Sequence, residues 1–210
     1  MDFALSEEQL MIQDAARQFA DNELAPNAAL VEKVENRQIL LDNLRKLAEL
    51  GFMGLNIQSE YGGSEAGVIA FSLAITELAR GCAATAVTVS VSNMVAEVIQ
   101  ACGSDAQKQN YLPKLCSGEY PAGGFCLTES GAGSDPASMV CKAVRDGDDW
   151  IINGSKLYIT SGAYSGVFVV WAVTNPEAPR GKGISCFLVE GNAPGVIIGK
   201  EEEKMGQKGS

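Results

Sequence analysis

The hydrophobic period changes once along this 210-residue chain, near residue 118, and that change limits the folds open to it. Before it, apolar residues recur at helical spacing. After it, they come in short glycine-bounded runs at 122–127, 167–173 and 184–189, with no helical stretch between them. Parallel βαβ units need such stretches. The pattern therefore predicts an α+β chain, with an all-helical domain over 1–117 and an antiparallel barrel or sandwich, truncated at its end, over 118–210.

In the first part, Ser6 and Gln9 form a capping box, and Ile12, Ala16, Phe19 and Ala20 continue one apolar face until Pro26 is expected to stop it. Leu40, Leu41, Leu44, Leu47 and Ala48 mark a second helix, with Gly51 placed to close it. Over 71–79 and 85–102 nearly every position is apolar or small, so both helices are expected to be buried on most sides. Ser104 and Gln107 cap a short helix that Pro113 is expected to interrupt. In the second part, Asp146-Gly147 and Asn153-Gly154 predict hairpins, the latter joining 150–152 to 156–159. The charge run at 201–204, EEEK, reads as a solvated turn.

With 26 acidic against 16 basic residues, the chain carries a formal charge of -10, which argues against a nucleic-acid partner. An anionic small ligand stays open through local dipoles. No run of 18 apolar residues occurs and the start is unlike a signal peptide, so a cytoplasmic protein without a membrane partner is expected. There is no histidine, which removes Ser-His-Asp triads and His-ligated metals. Acid–base chemistry is left to carboxylates, Lys, Tyr, Cys or a bound cofactor. The six cysteines are scattered without a C-x-x-C pair, as expected of reduced, mostly buried thiols and no metal site.

The stretch CLTESGAGSDPAS at 126–138 follows an apolar run and collects small residues, hydroxyls and carboxylates. Its backbone can offer several N–H groups to an anionic or polar ring, and on spacing alone a structural turn is an equal reading. FCLTESGAGSD at 125–135 resembles the flavin-binding signature of the acyl-CoA dehydrogenases, with Ser130 where proline is common. NGSKLYITSG at 153–162 is similar to the family's second flavin stretch, with Tyr158 in its aromatic position. MDFALSEEQ, EYGGS, YLPKL and EEKMGQKGS extend the resemblance, nearest the short- and medium-chain type, over essentially the whole chain.

The resemblance implies FAD as cofactor. Phe125, Cys126, Leu127, Thr128, Gly133 and Ser134 would wrap one side of the isoalloxazine, with main-chain groups and Thr128 bonding its pyrimidine end. Tyr158, Ile159 and Thr160 would cover the other side, and Ser134 and Phe125 would touch the acyl-CoA. It further implies α,β-dehydrogenation of an acyl-CoA to a trans-2-enoyl-CoA in fatty acid metabolism, electrons passed to electron-transfer flavoprotein, and a homodimeric or homotetrameric enzyme. No catalytic residue is expected here. Glu129 is expected to be structural, and the base to lie in a third, helical domain beyond residue 210, so that these residues alone are inactive. An acyl-CoA oxidase and a non-catalytic flavin or acyl-CoA binding module are the alternatives.

Overall fold

Residues 4–210 are described by the computed structural model; Met1, Asp2 and Phe3 of the opening MDFALSEEQ lie outside the described residues. Helix α1 spans Glu7–Phe19, and its capping box is formed, with Gln9 N donating to Ser6 Oγ at 3.2 Å and Ser6 N to Gln9 Oε1 at 3.0 Å. Pro26 does not stop the helical path. A π turn at Ala20–Leu24 and a 3-10 turn at Ala25–Asn27 carry it into the short α2, Ala28–Val31. Pro26 sits in the first positions of the 3-10 turn, where a missing N–H costs nothing. Helix α3, Arg37–Glu49, ends at Leu50, and Gly51 follows at φ 82° as its spacing predicts.

Helices α4, Gly67–Gly81, and α5, Ala83–Cys102, differ more than their compositions suggest. In α4 only the stripe Ala70, Ala74, Glu77, Leu78, Gly81 is buried, while Val68 and Ile69 are exposed, so the expectation of burial on most sides fails there. It holds for α5, which packs on α4, on α6 at Asp105–Cys116 and on the first strand. By length and composition α5 is apolar enough to cross a membrane, yet its Thr85, Thr88, Ser92 and Asn93 are fully buried. Core helices pass the same test. Asn93 is saturated, accepting from Leu55 N at 2.9 Å and donating to the Phe52 and Val89 carbonyls at 2.9 and 3.0 Å. Pro113 lies inside α6 rather than interrupting it. The fully buried Leu112 and Leu115 on either side hold that turn, and the carbonyl left without its donor belongs to exposed Gln109.

The strands are β1, Gly123–Cys126; β2, Lys142–Asp146; β3, Asp149–Asn153; β4, Val167–Val173; and β5, Ile184–Glu190. They form one mixed sheet, which corrects the antiparallel expectation. β5 pairs antiparallel along all of β4, while β1 runs parallel to the other edge of β4 at 167–170 and β2 meets it in parallel at Val173. A parallel neighbour needs a long crossover. Here the crossover is the β2–β3 hairpin and its flanking loops, not a helix, which is why its absence from the helical pattern misleads. The Asp146-Gly147 turn forms as predicted, with Asp146 opposite Asp149.

Successive β4 side chains alternate between faces. Val167 and Val169 join Val95, Ile99, Leu112 and Leu115 in the core shared with the helices, and Ala172 packs opposite them with Cys141 and Ala143. β1 lies directly on α5, where Gly123 N donates to Ser92 Oγ at 3.2 Å. A Cβ at Gly123 would sit 2.7 Å from Val95 Cγ1, so only glycine allows this approach.

The EEEK run is exposed at Glu201, Glu202 and Glu203, as expected, yet it is tied down. Arg37 grips both oxygens of Glu201 at 2.6 Å, Lys208 N donates to Glu32 at 2.9 Å and Tyr164 donates to the Gly209 carbonyl at 3.2 Å. The segment 201–210 thereby crosses back onto the helices.

Candidate cofactor site

The expected hairpin at Asn153-Gly154 does not form: 156–159 is not a strand. Gly154 instead lies against Cys141, whose Cβ and Sγ would be 2.7 and 2.6 Å from an added side chain. That close approach turns the chain away from β3 and sends 155–160 across the end of β1. Leu157 N there donates to the Thr128 carbonyl at 2.8 Å. The two motif stretches, 125–135 and 153–162, are thus brought edge to edge.

A buried ion pair joins them more firmly. Lys156 Nζ lies 2.7 Å from Glu129 Oε1 and 3.1 Å from the Leu127 carbonyl, and the two side chains are 8% and 5% exposed. Glu129 also accepts from Val140 N at 2.7 Å and Cys141 N at 3.0 Å. Burial pushes the Glu129 carboxyl upward, but the Lys156 ammonium and the two N–H groups outweigh it and hold it below the ordinary carboxylate range. Glu129 closes a tight hairpin with Ala132 through reciprocal 3.1 Å bonds, with Ser130 and Gly131 at its tip.

Beside this anchor, Phe125 is half-buried, with its ring centroid 6.2 Å from that of Trp171. Cys126 is buried beneath the loop, and burial pushes its thiol up to about 12. Leu127 and Thr128 are half-buried. Gly133 and Ser134 are exposed, and a Cβ at Gly131 or Gly133 would meet nothing of this chain. The N–H groups of Thr128, Gly133 and Ser134 have no acceptor among the described residues. On the second stretch, Tyr158 is 75% exposed at φ 57°, Ile159 and Thr160 are half-buried, and Ser161 follows at φ 62°. Two non-glycine residues in the left-handed region within four positions store strain, as ligand-facing segments commonly do.

These features fit a flavin. An aromatic wall, open space above a small-residue loop, unengaged N–H groups and an orphaned buried indole N–H at Trp171 are what a flat ring with one polar edge requires. Lys156 is not among the residues expected at the site from sequence, although it stands inside the second motif. Its signal was a lysine in an otherwise apolar and hydroxylic stretch. Arg180, on the β4–β5 loop, was also missed: it pairs with Asp135 and donates to Ser138 Oγ at 2.8 Å, tying down the end of the first motif. Among the described residues no group of His, Cys, Asp or Glu could hold a metal ion, and all six cysteines are free, with Cys102 exposed.

Residues 6–119 match the family model for the acyl-CoA dehydrogenase N-terminal domain, and 124–210 the model for its middle domain. The chain is 38% identical over 211 residues to the short-chain specific acyl-CoA dehydrogenase of Clostridium acetobutylicum, covering 100% of this chain and 55% of that protein. It superposes with a TM-score of 0.85 on a glutaryl-CoA dehydrogenase of Mycobacterium smegmatis in complex with FADH2, at 33% identity, over 97% of this chain and 50% of that one. A chain described as electron transferring flavoprotein of Acidaminococcus fermentans superposes at 0.91, with 37% identity, over 100% of this chain and 54% of that one. The chain spans about half the length of the curated relatives it matches. Sequence, fold and site agree, and the chain belongs to the acyl-CoA dehydrogenase family.

Proposed function

We propose that the chain is the flavin-holding part of an enzyme that dehydrogenates an acyl-CoA thioester between its α and β carbons to a trans-2-enoyl-CoA, passing the electrons to electron-transfer flavoprotein. The observation that carries this reading is the joining of 125–135 to 156–160 by Lys156, Glu129 and the Leu157–Thr128 bond into one rim with unengaged donors. The FADH2 complex of a relative and the neighbour described as an electron transferring flavoprotein support it. A domain boundary near 117, a cytoplasmic location and a homodimeric or homotetrameric state belong to the same proposal.

Within it, FAD supplies the hydride acceptor for the β-hydrogen. Phe125 and Trp171 form the apolar wall against the ring. Thr128, Gly133 and Ser134 offer donors to its polar edge and to the thioester end of the substrate. Tyr158, Ile159 and Thr160 close over the other side and exclude water. The two buried carboxylates among the described residues are both committed to partners. Glu129 is fully bonded, and Glu77 is held down to about 2, chiefly by Arg17, with Arg80 and Gln13 adding to it against the cost of burial. A base that weak is poorly matched to neutral pH. As the family resemblance implies, we take the base to lie outside residues 1–210, so that 1–210 alone should not turn over.

The test is anaerobic addition of short, medium and branched acyl-CoAs to the complete natural chain loaded with FAD. Bleaching of the flavin with formation of the enoyl-CoA is expected for at least one chain class. A flavin that stays oxidised with every acyl-CoA would contradict the reading.

A further inference from the structure

The buried lysine of the rim has a use that ion pairing alone does not explain. Each of its three donors is taken, by the Leu127 carbonyl at 3.1 Å, by Glu129 Oε1 at 2.7 Å and by the Met139 sulfur at 3.9 Å. An ammonium so committed cannot itself bond a ligand. Nor does a buried ion pair add much stability over a well-packed apolar pair of similar volume, so what it offers the site is geometry.

The Leu127–Thr128 peptide is planar and trans, and its carbonyl and N–H point in opposite directions. With the Leu127 oxygen fixed on Lys156, the Thr128 N–H is aimed away from the lysine. The next peptide is fixed as well, because the Thr128 carbonyl accepts from Leu157 N at 2.8 Å and Glu129 N donates to the Ala132 carbonyl at 3.1 Å. Both peptide planes around Thr128 are therefore locked by contacts outside the strand ladder. Thr128 keeps an N–H and a hydroxyl with no partner among the described residues. Donors held still and left unengaged are arranged for a group from outside the chain.

We propose that Lys156 is a positioning residue of the flavin site, which, by holding the Leu127 carbonyl and the Glu129 carboxylate, aims the Thr128 N–H at the polar edge of the isoalloxazine. The inference rests on the proposed function, since it needs a flavin in the rim. A donor aimed at the ring edge favours the reduced, more electron-rich ring. Loss of that aim weakens binding and makes the reduction potential more negative.

The test uses the complete natural chain. Lys156→Met is combined with Glu129→Gln, so that no unpaired charge is buried and the amide oxygen still accepts from one of the two N–H groups, Val140 or Cys141, that the carboxylate binds with separate oxygens. Lys156→Arg is the second variant, and Glu77→Gln, in the helical part, is the control. Expected for the double variant is an FAD dissociation constant raised about tenfold or more, as for one lost buried hydrogen bond, with a more negative flavin potential. Lys156→Arg, which keeps the charge but not the compact ammonium, falls between it and wild type. Glu77→Gln loses thermal stability with affinity and potential unchanged. The proposal is overturned if a folded Lys156 variant keeps wild-type affinity and potential, or if both variants fail to fold while the control folds, which would make the lysine part of domain stability only. Wild-type protein that takes up no FAD overturns the proposed function itself.

Discussion

The helical part and the sheet part of this chain are stabilised in different ways. Leu24, Leu40, Leu44, Leu47, Met53 and Leu78 are all fully buried in one helical cluster that also takes in α1, α3 and α4. In the sheet part, every residue of β5 is only half-buried, and Val140, Val144, Trp150, Ile151 and Tyr158 are exposed. Its central strand β4 is buried in a core shared with α5 and α6, and around it a few specific links add order: the Lys156–Glu129 pair, the Tyr120 hydroxyl donating to Glu190 at 2.6 Å and the Gly123 approach to α5. The larger buried apolar cluster lies in the helical part and the proposed flavin-facing groups in the other, the usual division between scaffold and site.

The largest effect should come from the scaffold. Leu47→Ala removes a fully buried side chain from the helical cluster and should cost about 2–5 kcal/mol, read by urea denaturation, without altering the residues of the proposed flavin rim. If instead Leu47→Ala leaves stability unchanged, the contrast between the two parts fails. A smaller effect follows from Glu77. Its folded pKa of about 2 lies below the ordinary 4.5, so it contributes stability above pH 4.5 that is lost as pH falls through about 2. The stability gap between wild type and Glu77→Gln should therefore shrink as the pH is lowered across that window, followed by thermal melts at each pH. A gap that stays constant would show that the carboxylate is not held by Arg17 and Arg80 in solution.

The same contrast governs what was readable from the sequence. Ser6 with Gln9, Ser104 with Gln107 and Gly51 act within a few residues of themselves, and the structure places each as its spacing predicts. Pro113 misleads because its effect depends on Leu112 and Leu115 finding partners far along the chain. The sheet was legible as runs but not as neighbours. Whether β1 lies beside β4 in parallel depends on where the hairpin between them packs, and Asn153-Gly154 reads as a turn until Cys141 is seen against Gly154. The flavin stretches were legible only by resemblance. Their joining through Lys156 is a contact across 27 residues to Glu129 and leaves no local mark.

The central claim is that the two stretches form one flavin rim while the helical core stands apart. Hydrogen exchange on the complete natural chain, with and without saturating FAD, tests it directly. Slowed exchange is expected at Thr128, Gly133, Ser134 and 158–160, with the amides of α1 and α3 unchanged. Protection in those helices with none at 125–134 would contradict it.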